Sequence, residues 1–521
     1  MPKNKAPGPD GFSVEYLWEA WDVVGNDIVE AVQDFFSTGH LPKYFNATAI
    51  TLIPKVPGAD TIPQFRPISC CTTVYKIIAR LLKQKLKLFI SDTVQGNQVG
   101  FVQGRQLCEN VLLASELVNN FHVSGTTTRG CLQVDLAKAY DNLNWQFLLN
   151  VLNALELPPQ FIGWLQQCFT TPSFSIAFNG ELIGFFPGKR GLRQGDPISS
   201  LLFVLAMDVL SKKLDKGAMN SSFGLHPQCY APMITHLSFA DDILVFCDGE
   251  ENSFRAILDI LEDFRLASGL GINKNKSALF LDGANFQDNQ LLAARLQIIQ
   301  GSLPVRYLGV PLTTCKLRKQ DYQPLIDRIL GRFNPWTRLS DWNKVLGLKL
   351  IWMIFAAGGS LWVSWVRRNL IGSKCFWDIE NLSSGSWIRK SLCKLRPLAR
   401  PFLVCEVSSG FSCKFWSDNW TGLGPLLEIT GVLGPRIYGL PRDVVVVDAL
   451  RDGEWWISRS RSRNPIISML LSCLPPPSIV NSQIDAADDC FLWKVGDKPS
   501  SNVFSTAITW DHLHPLTAKV D

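Results

Sequence analysis

A chain of 521 residues, 46% of them hydrophobic and 19% charged, can bury a large core and is too apolar to be intrinsically disordered. By length it should divide into about two to four domains. The formal net charge of +5 is mild and excludes no class of partner, but it is unevenly spread. No acidic residue lies between Asp60 and Asp92, where Arg66, Lys76, Arg80, Lys83, Lys85 and Lys87 fall. The 14 cysteines include no C-x-x-C pair, and Met1-Pro2-Lys3-Asn4-Lys5 opens no apolar signal-peptide run. That argues against a disulfide-stapled secreted protein and against a cysteine zinc site. Reduced thiols in a nuclear or cytoplasmic chain are expected, with His512 and His514 solvated and no structural zinc.

In chain order, Asn4 to Phe12 is a Pro/Gly turn segment, and Ser13 is the expected N-cap of a helix carrying Val14, Leu17, Trp18 and Trp21. A second helix runs through Ile28, Val32, Phe35 and Phe36 to Gly39, and Ala49 to Lys55 reads as a strand ended by Pro54. Val74 to Ile90 is an amphipathic helix with Ile77, Ile78, Leu81, Leu82, Leu86 and Phe89 on its apolar stripe. Lys76, Arg80, Lys83 and Lys87 line another side. Such a stripe is ordinarily a solvated face; the lack of interleaved acids favours one that tracks phosphates.

Gly130 to Leu136 alternates as a strand, with Leu132, Val134 and Leu136 on one side and Cys131, Gln133 and Asp135 on the other. A helix follows from about Trp145 to Leu155. Asp196 as N-cap and Pro197 as first helical residue start the next, with Ile198, Leu201, Leu202, Leu205 and Val209 buried. Phe254, Ile257, Leu258, Leu261 and Phe264 mark another, ended near Ser268-Gly269. Ile272 to Leu281 reads as a strand carrying Lys274 and Lys276, and Tyr307 to Leu312 as a tight apolar turn. From about Trp342 tryptophans crowd in, and a domain boundary is expected there. Leu350 to Val366 is uncharged but short of the ~20 residues that span a bilayer. Gly358-Gly359-Ser360 predicts a break there between two buried helices, so no membrane partner is expected.

Between two short apolar runs, His236–Phe239 and Ile243–Phe246, sit Asp241 and Asp242, at the tip of a predicted β-hairpin. Adjacent carboxylates repel unless a cation or a proton joins them, and hard Mg²⁺ prefers carboxylate and phosphate oxygens. A polar turn is the ordinary reading of an Asp-Asp pair. Asp488-Asp489, with no apolar strand before it, is read that way, as surface. A strand carboxylate such as Asp135 beside a hairpin pair is instead what a two-metal phosphoryl-transfer centre requires.

A co-linear set of segments carries a resemblance: NKAPGPDGF (4–12), FRPISCC (65–71), QVGFVQGR (98–105), VDLAKAYD (134–141), GLRQGDPIS (191–199), FADD (239–242), GLGINKNKS (269–277) and YLGVPL (307–312). Together they resemble the reverse transcriptases of plant LINE-type (non-long-terminal-repeat) retrotransposons. The resemblance covers about Asn4 to Arg338 and extends more loosely to the end. It implies an α+β right-hand polymerase with an N-terminal extension and fingers over 1–130, a palm over 131–282 and a shortened thumb over 283–340. The reverse transcriptase domain as a whole would run from about 36 to 314. Beyond it, 341–521 would be a Trp-rich C-terminal region of undefined fold.

The resemblance further implies an RNA-directed DNA polymerase that uses two Mg²⁺ ions, an RNA template, a DNA primer and dNTPs. Asp135, Asp241 and Asp242 would be the metal ligands, with Lys276 near the leaving pyrophosphate, although Lys274 is equally near in sequence. Arg66, Tyr140, Gln194 and Gly195 would form the dNTP site, Tyr140 as the gate against a ribose 2′-hydroxyl. Lys76, Arg80, Lys83, Lys87 and Arg105 would hold nucleic-acid backbone.

Two departures stand out. Ser200 replaces a proline common in relatives, and at Trp336–Asn343 the text passes directly into a later block, as in an internal deletion or a mispredicted intron. The family's endonuclease and its zinc-binding and RNase H regions are also expected to be missing. The alternative is therefore a catalytically silent remnant that only binds nucleic acid.

Overall fold

The structure, a computed structural model, describes residues 1–119, 121, 128–282, 286–314, 323, 326–327, 339–356, 360–372, 374–379, 386–457, 465–480 and 487–514. The chain divides into two units, Met1–Cys315 and Lys316–Asp521. Most of 315–338, within the expected thumb, lies outside the described residues.

The first unit begins with α1 (Val14–Glu19) and α2 (Trp21–Thr38). Ser13 caps α1 by accepting from the Tyr16 N–H at 3.1 Å, and Gly39 closes α2 at a left-handed φ of 71°. Next come β1 (Ala47–Pro54), β2 (Phe65–Cys71) and α3 (Thr73–Thr93), whose N-cap is Thr72. On α3 the buried stripe is Tyr75, Ile78, Leu82, Leu86 and Ile90, whereas Leu81, expected on it, is 41% exposed. Trp18 and Trp21, expected on an apolar helix face, are also exposed.

Then follow α4 (Leu107–Leu117), β3 (Gly130–Asp135), α5 (Ala139–Asn142), α6 (Trp145–Ala154), α7 (Pro159–Thr170), β4 (Ser173–Phe178), β5 (Glu181–Pro187) and α8 (Ser199–Met219). The unit continues with β6 (His236–Phe239), β7 (Asp242–Cys247), α9 (Glu251–Ser268), β8 (Ala278–Leu281), α10 (Phe286–Leu296), β9 (Ile299–Gln300) and the hairpin β10 (Val305–Tyr307)–β11 (Val310–Leu312).

Two sheets organise these elements, one in the order β2-β1-β4-β5 and the other β6-β7-β3-β8-β9. In the first, β1 and β4 run parallel; in the second, only β8 and β9 do. The alternation of β3 decides its place. Leu132, Val134 and Leu136 enter one core with Ile243, Val245, Leu201, Leu202, Leu205 and the α3 residues Ile78, Leu82 and Leu86. The expected strand 272–281 is shorter: Ile272 makes a single bridge to Leu136, a turn follows, and only Ala278–Leu281 is ladder.

The second unit holds helices Leu339–Ala356 and Leu361–Trp365 and a strand pair, Leu403–Glu406 with Cys490–Trp493. No single helix among the described residues is long and apolar enough to cross a membrane. Asp341–Ala356 and Leu361–Ile371 pass that test only together, bent by 76°. Residues 357–359, where the break was expected, lie outside the described residues.

Asp489 corrects its reading as a surface residue, being only 9% exposed. Its Oδ1 accepts from the Ser408 and Gly410 N–H groups, and its Oδ2 from the Ser412 and Cys413 N–H groups and the Ser412 hydroxyl. Burial opposes its ionisation, but these backbone donors outweigh it and hold the carboxyl below its ordinary value. It thus pins a loop of Ser and Gly residues that has little apolar surface to order itself. Asp489→Ala should lower the stability of this unit by about 3 kcal/mol, read as a drop in thermal midpoint. The carboxylate's contribution is full above the unfolded pKa and is lost as pH falls through the lowered folded value.

Candidate active site

β3 pairs antiparallel with β7 so that Asp135 stands directly opposite Asp242. β6 and β7 form the expected hairpin, with Phe239 opposite Asp242 and Ala240 held left-handed at a φ of 56°. Register and turn therefore bring Asp135, Asp241 and Asp242 to one end of the sheet. Burial raises the Asp241 carboxyl above its ordinary value, its own backbone N–H opposes this, and the charge on Asp135 adds to the rise. Asp242 is raised by burial, then by Asp241 and Asp135. No Lys or Arg among the described residues forms an ion pair with any of the three.

Tyr140, on α5, stacks on Phe203 with centroids 4.8 Å apart. Burial, and after it the Asp241 charge, push its hydroxyl up to about 12, which places the ring within electrostatic reach of the hairpin. The Tyr140 carbonyl accepts from Leu192 N–H at 2.6 Å, and the Trp145 indole donates to the Gly191 carbonyl at 2.7 Å. The 191–196 loop is thereby stitched to the segment that follows Asp135.

On its other side that loop joins β2, where Ser69 N–H donates to the Gln194 carbonyl at 2.7 Å. Gly195 is exposed at a φ of 102°, and a Cβ there would lie 3.1 Å from the Ser69 carbonyl oxygen. The position suits glycine for both reasons.

The sequence reading missed what fixes this loop. Arg193 and Asp196, flanking Gln194-Gly195, are buried and paired at 3.0 Å. The Tyr75 hydroxyl donates to Asp196 Oδ2 at 2.6 Å, and its ring lies 4.1 Å from the guanidinium. Arg193 also donates to Asn46 Oδ1, Thr48 Oγ1 and the Cys168 carbonyl. Burial disfavours its charge, yet the surrounding groups, Asp196 among them, outweigh that and keep it protonated.

Asp196 is therefore the anchor of a polar network and not the N-cap of α8. Its Oδ1 accepts from Ile198 N–H, and the helix starts only at Ser199. The opposite charges flanking Gln194-Gly195 were the available signal.

A cavity of about 290 Å³ is lined by Ile50, Pro67, Ser69, Asp141, Trp145 and Gln194, among others. None of the three carboxylates lines it.

Arg66 is exposed on β2 opposite Ile53, and its side chain makes no ion pair or hydrogen bond among the described residues. Lys276 is exposed in the turn before β8. That turn abuts Asp135, whose N–H donates to Ser277 Oγ and whose carbonyl accepts from Asn273 N–H. Lys274, the alternative, donates to Gln297 Oε1.

Of the basic residues on α3, Lys87 is exposed and Arg80 and Lys83 half-buried. Burial, then Arg80 and Lys87, lower the Lys83 pKa. Lys76 instead donates to the Ala6 carbonyl at 2.7 Å, tying down the N-terminal Pro/Gly segment. Arg105 is a correction. Its guanidinium donates to the carbonyls of Ser91, Val94, Gln95 and Gln98, satisfying the end of α3 rather than reaching for a phosphate.

Among the described residues, no group of three His, Cys, Asp or Glu side chains forms a ready-made metal cage. The carboxylates nevertheless fit Mg²⁺, which is commonly held by one or two carboxylates with substrate phosphates and water completing the shell. The observation in favour is electrostatic. Burial first, and then the neighbouring carboxylate charges, raise Asp241 and Asp242, and no Lys or Arg among the described residues pairs with either.

Residues 53–312 match the reverse transcriptase (RNA-dependent DNA polymerase) family. A "Transposon TX1 uncharacterized 149 kDa protein" of Xenopus laevis is 29% identical over 67% of this chain and 26% of its own length. A retrovirus-related Pol polyprotein from a type-2 retrotransposable element of Drosophila melanogaster is 26% identical over 66% of this chain and 32% of its own length. The chain thus spans about a quarter to a third of these relatives. An apo telomerase from Candida tropicalis, truncated from its C-terminal domain, aligns with 56% of this chain and 60% of its own at 14% identity and a TM-score of 0.37. The segment 53–312, which carries its carboxylates on an antiparallel hairpin and the adjoining strand, is thus similar to the reverse transcriptase family of RNA-dependent DNA polymerases.

Proposed function

We propose that the chain extends a DNA primer on an RNA template from dNTPs, with the right-hand arrangement of a retrotransposon polymerase. The observation that carries this reading is the register placing Asp135 opposite Asp242, with Asp241 at the adjoining tip. In this reading β6-β7-β3-β8-β9 is the palm sheet and β2-β1-β4-β5 belongs to the fingers. Two Mg²⁺ ions, when bound, would activate the primer 3′-hydroxyl and neutralise the departing pyrophosphate. Asp135 and Asp241 are the principal ligands and Asp242 supports them.

Arg66, whose guanidinium on β2 has no ion pair among the described residues, is suited to a bidentate grip on the triphosphate. Lys276, in the turn that abuts Asp135, would give a proton to the leaving group. Half-buried Gln194 and exposed Gly195, held between the buried Arg193 and Asp196, form the wall against the base pair. Arg80, Lys83 and Lys87 give salt-sensitive affinity for nucleic-acid backbone.

Primer extension with RNA template, Mg²⁺ and dNTPs tests the proposal. In this reading Tyr140 is the gate against a 2′-hydroxyl: its ring stacks on Phe203 and its hydroxyl feels the Asp241 charge. Tyr140→Ala should raise ribonucleotide use relative to deoxynucleotide use by about tenfold or more, measured as a ratio of kcat/KM values. Tyr140→Phe should leave that ratio near wild type.

A further inference from the structure

The segment Asn97–Phe101 lies along the outer edge of β6. Val99 N–H donates to the Ser238 carbonyl at 3.0 Å, and Ser238 N–H donates to the Asn97 carbonyl at 3.0 Å. Gln98 forms a parallel bridge with Ser238, whose carbonyl also accepts from Asn110 Nδ2 at 3.0 Å. β6 is the terminal strand of its sheet, so this segment occupies an edge that would otherwise be open.

The side chain of Gln98, 1% exposed, does something more specific. Its Oε1 accepts from Gly100 N–H at 2.8 Å and from Ala240 N–H at 2.9 Å. Ala240 is the left-handed residue at the hairpin tip, immediately before Asp241. A non-glycine residue at positive φ persists only where its surroundings hold it there. Gly100 permits the approach, since a Cβ there would lie 2.7 Å from the Ala240 nitrogen and 3.2 Å from the Phe239 carbonyl carbon. Gln98 Nε2 has no partner among the described residues, so the only bonds this buried side chain makes there are the two its Oε1 accepts, from Gly100 and Ala240.

We infer that Gln98 is a positioning residue: through Ala240 N–H it fixes the hairpin tip from behind and so sets where Asp241 and Asp242 project toward Asp135. The metal-binding consequence rests on the polymerase reading; the hairpin geometry does not. Outer partners that orient ligands typically change metal affinity by about 10–100-fold when removed. Gln98→Met keeps the length and apolar bulk of the side chain but removes the acceptor. Gln98→Glu keeps an oxygen at the same place.

The test uses the full chain, with hydrogen–deuterium exchange of a peptide spanning 236–246 and Mn²⁺ binding followed by electron paramagnetic resonance in the presence of dNTP. Gln98→Met should raise exchange at the tip by about tenfold and weaken Mn²⁺ binding by about tenfold or more, with the thermal midpoint near wild type. Gln98→Glu should restore exchange toward wild type. A wild-type chain that binds no Mn²⁺, with exchange still faster in Gln98→Met, would defeat the metal reading and leave the positioning role standing. Unchanged tip exchange in a folded Gln98→Met protein overturns the inference, as does Gln98→Glu behaving like Gln98→Met.

Discussion

If the chain polymerises as proposed, Asp241→Asn should abolish nucleotide incorporation, lowering the rate by on the order of 10³-fold or more, because it would remove a charge that the proposed metal-dependent stabilisation of the transition state needs. The same variant should fold as well as the wild type or better. Burial and Asp135 raise the folded Asp241 pKa above its unfolded value. The carboxyl therefore favours the fold fully below the unfolded pKa, and that support is lost as pH rises through the raised folded value. At neutral pH the ionised group opposes folding, and the amide relieves it. A thermal melt beside the extension assay separates the two effects. Loss of both activity and fold would mean that Asp241 is structural.

Arg193→Ala should be the most destabilising single change in the first unit. It strands Asp196 and breaks the bonds to Asn46, Thr48 and Cys168 together. Removing one partner of a buried ion pair typically costs about 3–5 kcal/mol. Urea unfolding monitored by tryptophan fluorescence should show a large fall in midpoint. The pair Arg193→Met with Asp196→Asn should recover part of the loss, since no uncompensated charge is then buried. An unchanged midpoint in Arg193→Ala would show that the network is not what fixes the Gln194 loop.

Much of the first unit is legible because its signals are local. Ser13 and Gly39 cap their helices, β3 shows its alternation, and two apolar runs around Asp241-Asp242 make a hairpin. What the sequence hides is where polar side chains find partners far along the chain. Arg105 looks like a phosphate contact until the carbonyls at the end of α3 claim it. Asp196 looks like a helix cap until Arg193 and Tyr75 converge on it. Asp489 looks like surface until a loop many residues earlier wraps its carboxylate. Gln98 carries no sequence signal for its bond to Ala240, since an amide serves many roles and its partner lies far away in the chain.

Single-nucleotide incorporation tests the polymerase reading most directly: full chain at high concentration, a DNA primer annealed to RNA, Mg²⁺ and one labelled dNTP. The account predicts extension by the wild type and none by Asp241→Asn. A wild-type chain that retards the RNA in a gel yet adds no nucleotide would contradict it.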